Sequence, residues 1–559
     1  MNYNDINKSF KKYKIKKKRE TMAEICKPKD FKLQQQQLFL ADLFKQKKNI
    51  RGLLVYHKIG AGKTCTAISI AENLKKKMKI MVLLPAALIG NFEDELLSKC
   101  GKNEYISEKD YNLLSKLNPK SKKYEEIQNK AKSKIYEYYE IYSYHKFQIL
   151  MDQKRLKFRN TLLIIDEIQN MISEGGTFYK SLNSFINRAD EKSKILLLSA
   201  TPMFDKPVEL ALTMNLLKKN KIPIGNDFNT MFLKQVKTKD GISYDLKNKN
   251  LLKKHLHGLI SYYRGASPVA FPKTNFNVVR CNMSDFQYKS YLTSLSTKND
   301  YVKGSFRDVD ILKLPNNFLL GPRMVSNVTF PNKSIGEKGF QSFKGSCISP
   351  KKIKTYSTKF YKINNKIRIS KGPVFVYSNF KDVGGLKPFR KFLECQGYKD
   401  YKTYGPGKNR YAVWSGDEKH STKEQIKKVY NNPNNHNGSM IKIMLGSPSI
   451  KEGVSLLRTE QVHILEPYWN MSRLLQIIGR AIRFCSHKDL PSDKRKVDVF
   501  LYLATYPKER TTDEHIWSLA KRKNVLINQF ETVMKEMAID CKLFYERNVY
   551  RNEKPIKCY

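Results

Sequence analysis

The sequence predicts an α/β protein built on two parallel sheets with a helical C-terminal tail, and three observations carry that expectation. Short apolar runs without polar alternation recur along the chain, helix-length amphipathic stretches separate them, and several runs end at a loop of unusual chemistry. Unbroken runs suit strands covered on both faces, the condition of a parallel sheet wrapped by helices. They fall into two series, so one sheet is expected near residues 30–235 and another near 350–505. The chain accordingly reads as a flexible basic arm (1–25), a first α/β domain (26–235), a linker or insertion (236–350), a second α/β domain (351–505) and a helical tail (506–559).

Composition sets the outer limits. The 559 residues suffice for roughly three or four domains, each with its own core. A hydrophobic content of 40% with 11% aromatic residues excludes wholesale disorder. Lys and Arg total 104 against 52 acidic residues, a formal charge of +52, and a polyphosphate backbone is the natural partner of such a field. An A/T-rich coding sequence, which favours Lys, Asn, Ile and Tyr, is the alternative source of the excess. The nine cysteines include no C-x-x-C pair, which fits a reducing compartment and offers no zinc framework. His255 and His257 lack neighbouring cysteine or histidine and read as surface residues. No signal-peptide core follows Met1 and no apolar run is long enough to span a bilayer, so a soluble intracellular protein without a membrane partner is expected.

Taken in order, the arm "MNYNDINKSFKKYKIKKKRE" holds eight basic and two acidic side chains and little apolar material, and its "KIKKKR" is a weak nuclear-address pattern. "FKLQQQQLFL" (31–40) offers Gln37, whose amide matches the donor–acceptor edge of adenine, although four consecutive glutamines blur the register. The strand "GLLVY" (52–56) runs into "HKIGAGKT" (57–64), close to the phosphate-loop pattern G-x-x-x-x-G-K-[ST]. His57 stands where the first glycine belongs. Lys58, Ile59, Gly60, Ala61 and Gly62 form the turn whose backbone N–H groups would approach phosphates, Lys63 would reach the β- and γ-phosphates, and Thr64 would ligate Mg²⁺. The amphipathic "TAISIAENLKKK" (66–77) is the helix that follows, and the next strand, "IMVLL", stops at Pro85.

"TLLII" (161–165) ends at "DEIQ", which supplies Asp166 for the metal and Glu167 to polarise the attacking water, with Gln169 beside them. "ILLL" (195–198) ends at "SATP", hence Ser199, Ala200 and Thr201. The second series comprises "PVFVY" (373–377), "IKIML" (441–445), "QVHIL" (461–465) and "VDVFLYLA" (497–504). "KEGVSL" (451–456), with Gly453, is expected as a loop at the inter-sheet cleft. "QIIGRAIRFCSH" (476–487) places Gln476, Arg480 and Arg483 together, expected on one helix, and such arginines suit the charge of a transferring phosphoryl group. In the tail, Trp517, Leu519, Ile527, Phe530 and Met534 form a stripe that suits core packing or a docking face.

The ordered set Gln, GKT, Pro-Ala, DExx, SATP, a distal Gly loop and Q-x-x-G-R-x-x-R resembles the superfamily 2 helicases and translocases over residues 30–505. That resemblance implies two RecA-like domains around an ATP cleft, with Ser199, Ala200, Thr201 and Gln169 coupling hydrolysis to nucleic acid. "PAALIGNF" (85–92), "IYSYHKF" (141–147), "SATPMFDKPVEL" (199–210), "GLISYYRGASPVAFP" (258–272), "GPVFVYSNF" (372–380) and "AIDCKLF" (538–544) look like the Swi/Snf-related ATPases of large cytoplasmic DNA viruses. Poxvirus nucleoside triphosphate phosphohydrolase I and the small subunit of the early transcription factor are members of that group. Gln169 departs from the histidine usual there, as His57 departs from glycine. The resemblance implies ATP and Mg²⁺, DNA ahead of RNA as partner, a viral RNA polymerase as associate, and a place in the virion and the cytoplasmic viral factory. A strand-separating helicase on RNA or DNA is the second reading, and a nucleic-acid-packaging protein with a vestigial ATPase the third.

Overall fold

The apolar runs form strands as their composition dictates. β1 (Gly52–His57), β2 (Lys79–Leu84), β3 (Tyr139–Ser143), β4 (Thr161–Ile165) and β5 (Lys194–Ser199) are followed by an antiparallel hairpin, β6 (Leu233–Thr238) and β7 (Gly241–Leu246), and by β8 (Ile260–Tyr263). The first sheet has the order β3-β2-β4-β5-β1-β8 and every pairing in it is parallel. The second sheet draws on β9 (Lys273–Asn282), β10 (Val374–Tyr377), β11 (Lys399–Asp400), β12 (Arg410–Trp414), β13 (Ile443–Gly446), β14 (Gln461–Ile464) and β15 (Lys496–Thr505). Its order is β11-β12-β13-β10-β14-β15-β9, again all parallel. The computed structural model describes residues 2–16, 20–27, 31–47, 49–58, 60–117, 121–218, 221–238, 240–296, 310–312, 319–451, 454–550 and 553–559.

Two sequence expectations are corrected here. The segment 236–350, expected as a linker or insertion, supplies strands to both sheets: β8 closes one edge of the first and β9 one edge of the second, so the chain changes sheets between Tyr263 and Lys273. β9 is exposed along most of its length, and β8, though buried, carries Ser261 and two tyrosines, so neither shows the continuous aliphatic run that marks a central strand. The arm is not flexible over residues 3–13. α1 (Tyr3–Ser9) and the turn after it insert Tyr3, Ile6, Phe10 and Tyr13 into the first core. Four apolar side chains at this helical spacing outweigh the lysines, which point outward. Residues 17–19 of the basic run lie outside the described residues.

Helices complete the layers. α2 (Met22–Cys26) precedes α3 (Gln35–Gln46), and α4 (Lys63–Leu74) leaves the loop after β1 with most of its residues buried. α5 (Met471–Ile478) packs on the second sheet, and α6 (Thr512–Glu536) is the long tail helix. The tail stripe is core: Leu519, Ile527, Phe530 and Met534 belong to the first cluster, while Trp517 packs against the second domain. The tail thus returns from the second sheet to the first domain. His257, expected on the surface, stacks on the Tyr3 ring with centroids 4.6 Å apart, and His255 Nδ1 lies 3.0 Å from Lys218 Nζ.

The cysteine expectation is also corrected. Cys26–Cys485, Cys65–Cys100 and Cys541–Cys558 are disulfides, across sequence separations of 459, 35 and 17 that no local spacing could have signalled. Glu95 lies beside Cys65 and Cys100, but the two sulfurs are bonded to each other and so are not a metal-ligand pair. Among the described residues no helix is long and apolar enough to cross a membrane.

Candidate nucleotide site

In a parallel sheet the loops after the strands gather at one edge, and ligands bind there. The loops after β1, β4 and β5 meet that edge of the first sheet, and the segment after α5 faces them from the second. Together they enclose a cleft of about 370 Å³ lined by Lys58, Gly60, Lys63, Thr64, Asp166, Glu167, Gln169, Ala200, Gln476, Arg480 and Arg483, among others.

The first wall is the turn ahead of α4. Gly60 and Gly62 hold φ of +81° and +71°, a region open to glycine at little cost. A Cβ on Gly62 would also sit 2.6 Å from Gln37 Nε2. Ala61 is buried, and its N–H donates to the Lys58 carbonyl at 3.1 Å, closing the turn. Lys63 and Thr64 begin α4, so the helix N-terminus points its unpaired N–H groups into the cleft. Ile59 and Gly453 both lie outside the described residues.

Two residues expected to touch the nucleotide are placed otherwise. His57 is not loop but the last residue of β1, fully buried, paired with Tyr263 of β8, and it does not line the cleft. Burial first, then the Lys63 charge, push its imidazole down to about 3, so it stays neutral. Gln37 does not line the cleft. Its Nε2 donates to the Gly62 carbonyl at 3.2 Å and its Oε1 accepts from the Gln34 N–H at 2.8 Å, so it braces the loop from behind. Gln36, not anticipated, does the same through the Ala61 carbonyl at 3.2 Å. The register among the four glutamines is decided by helix α3 alone.

The carboxylates follow β4. Asp166 is buried and its Oδ1 accepts the Glu167 N–H at 2.9 Å. Glu167 adopts φ +53°, which turns its carboxylate back toward Lys63, with Nζ to Oε1 at 3.4 Å. Burial works to raise this carboxyl, but the Lys63 charge, the Gln169 hydrogen bond and Arg480 outweigh it and hold it below its ordinary value. The Tyr144 hydroxyl, unforeseen from the sequence, donates to the Asp166 carbonyl and steadies the turn.

From Glu167 a continuous chain of hydrogen bonds crosses the cleft. Gln169 Nε2 donates to Glu167 Oε2 at 2.6 Å, and the Ser199 hydroxyl donates to Gln169 Oε1 at 2.6 Å. The Thr201 N–H donates to Ser199 Oγ at 2.9 Å, and Gln476 Nε2, in the second domain, donates to Thr201 Oγ1 at 3.3 Å. A glutamine amide carries a donor and an acceptor on one group, which is what this junction uses. Asn470, also not anticipated, adds a second bridge by donating to the Phe204 carbonyl.

On the far wall the helix expectation is corrected. Gln476 lies on α5, but α5 ends at Ile478, with Arg480 in the turn that follows and Arg483 in irregular chain beyond it. Both still line the cleft. Arg480 is held by its Nε donating to the Gln476 carbonyl at 3.2 Å. Burial lowers the Arg483 guanidinium, and Glu167 across the cleft partly offsets it.

A lysine and two carboxylates on one sheet face two arginines on another across one cleft, the set of groups that phosphoryl transfer uses. That defines an ATP-hydrolysing enzyme of helicase superfamily 2. The chain belongs to the SNF2-related family: residues 35–328 match the SNF2-related domain, and residues 359–485 match the helicase conserved C-terminal domain. It is 47% identical, over 100% of its own length and 97% of the relative's, to a protein of Acanthamoeba polyphaga mimivirus named as an ATP-dependent RNA helicase. It is 26% identical to an African swine fever virus protein named as a homologue of termination factor NPH-I, over 89% of this chain and 77% of that one. Among solved structures, the helicase domain of Pyrococcus furiosus Hef aligns with 86% of this chain and 97% of its own at 14% identity and a TM-score of 0.41.

Proposed function

We propose that the protein is an ATP-driven translocase that moves along nucleic acid, DNA ahead of RNA, in the service of viral transcription. The observation that carries the motor reading is the hydrogen-bonded chain from Glu167 through Gln169, Ser199 and Thr201 to Gln476, because it links the water-activating carboxylate to the opposite domain. Lys63 binds the β- and γ-phosphates and leaves Glu167 when they arrive. Glu167 orients the attacking water, and Arg480 and Arg483 meet the charge on the transferring phosphoryl group. Thr64 and Asp166 offer hard oxygen donors within one cleft, a set that fits Mg²⁺. The ion would neutralise phosphate charge there. Closing the domains aligns the arginines and opening releases products, so a strand held across both domains is advanced stepwise. The excess of 52 positive charges would hold that strand through its phosphates.

The transcription role rests on the likeness to a termination-factor homologue, and with it come a viral RNA polymerase as partner and the virion and viral factory as location. RNA unwinding is the second reading, favoured by the name of the mimivirus relative. Steady-state ATP hydrolysis alone and with single-stranded DNA, duplex DNA and RNA separates them, with Lys63→Ala as the blank. Stimulation by DNA that vanishes in the variant supports the translocase. Stimulation by RNA alone supports the second reading, and tight nucleic-acid binding without hydrolysis overturns both.

A further inference from the structure

His57 is the departure that the ATPase reading leaves unexplained, and the structure gives it a partner far away in sequence. β8 lies between β1 and the C-terminal segment. The Ser261 hydroxyl on β8 donates to Asp540 Oδ2, and His57 Nε2 lies 3.1 Å from the same Ser261 oxygen. Since that hydroxyl spends its proton on the carboxylate, the neutral imidazole must donate from Nε2. Asp540 Oδ1 meanwhile accepts the Tyr262 N–H at 2.9 Å, and the Ile539 N–H donates to the Ile260 carbonyl at 2.8 Å. His57, Ser261 and Asp540 are all fully buried, so this bridge has no water competing for it.

A second contact reaches the next residue of the loop. Lys58 Nζ stands 3.5 Å from both carboxylate oxygens of Glu531 on α6. Its N–H donates to the Tyr263 carbonyl at 3.0 Å, so Lys58 is held at backbone and side chain together. Two consecutive residues at the start of the turn are therefore fixed by two carboxylates contributed more than 470 residues later, one through β8 and one directly.

We propose that the C-terminal segment is a positioning wall of the nucleotide loop, with Asp540 acting through Ser261 and His57, and Glu531 acting through Lys58. The proposal rests on the assignment of residues 58–64, directly after His57, as the phosphate-binding loop. Glycine at position 57 would leave this corner to the turn itself. Histidine there hands part of its placement to the tail, so the tail must be docked for the backbone N–H groups to present a formed phosphate cradle. Neither carboxylate reaches the cleft, and both are positioning residues.

A misplaced cradle weakens ground-state and transition-state phosphate binding alike, which raises KM and spares kcat. The test is steady-state ATP hydrolysis by the full chain carrying Glu531→Gln or Asp540→Asn, with Lys63→Ala as control. The expected result is a rise of about tenfold in KM for ATP with kcat within about twofold. In a Lys58→Met background Glu531→Gln should add nothing, as it would if it acts only through that lysine. The proposal is overturned if both single variants keep KM within about twofold while Lys63→Ala abolishes hydrolysis, or if kcat falls and KM does not. Should Asp540→Asn fail to fold, the Glu531 pair, whose Lys58 is partly exposed, decides alone. Hydrolysis that survives Lys63→Ala would instead refute the loop assignment beneath it.

Discussion

Replacing Gln169 by leucine tests the cross-cleft chain at its middle. Leucine fills nearly the same volume, so the cavity contribution is small and the loss is of hydrogen bonds. One of them reaches the Glu167 carboxylate and the other comes from the fully buried Ser199 hydroxyl. A hydrogen bond to a charged group contributes about 1.5–3 kcal/mol and a neutral one about 1 kcal/mol, so roughly 3 kcal/mol is at stake. The bond to Glu167 makes up about half or more of that total, and this is the part that orients the carboxylate for the water. At about 1.4 kcal/mol per decade, kcat for nucleic-acid-stimulated hydrolysis should fall at least tenfold and at most about a hundredfold. KM for ATP should stay within about threefold, because the loop and Lys63 are left in place. Gln169→His should recover part of the loss, since a neutral imidazole also offers one donor and one acceptor. A leucine variant that folds and turns over within twofold of the parent refutes the chain as the coupling route.

Arg480→Ala and Arg483→Ala should each lower kcat by at least about a hundredfold, with nucleotide binding retained in a fluorescence titration, as expected of groups that meet the transition state. Hydrolysis within threefold would remove them from that role. Burial pushes His57, His463 and His515 each down to about 3, so the unfolded chain takes up protons that the folded chain refuses as pH falls from 6.5. Stability from this source is fully present above 6.5 and is lost toward 3, at about 2 kcal/mol per histidine by pH 5. Burial raises Glu209 and Asp540 to about 7, which gives an opposite slope between their ordinary values and 7 but from two groups against three. The urea midpoint should therefore fall between pH 6.5 and 4, and a flat profile would contradict the burial of these rings. Alkylation of the unfolded chain without reductant should modify at most three of the nine cysteines, and with reductant all nine, as read by mass. Nine without reductant would exclude the cross-links.

Much of the site was legible in the chain because its parts are local. Gly60, Gly62, Lys63 and Thr64 act within one turn, and Asp166 with Glu167 and Ser199 with Thr201 each sit at the end of one buried strand. Period, composition and spacing report such features directly. The central strands were legible for the same reason: burial on both faces leaves an unbroken apolar run, as in β1, β4, β5 and β10.

What the sequence could not show is set by contacts between residues far apart along the chain. β8 and β9 are edge strands whose sheets are chosen by pairing, not by composition. The basic arm is folded because Phe10 and Tyr13 meet the Phe39 ring, which no count of lysines reveals. Arg480 and Arg483 share the cleft although α5 stops short of them. His57 looked like a damaged glycine and is a buried strand residue bound through Ser261 to Asp540. Local chemistry is written in neighbouring residues, whereas the placement of Asp540 beside that loop exists only once hydrophobic burial has folded the tail back onto the first sheet.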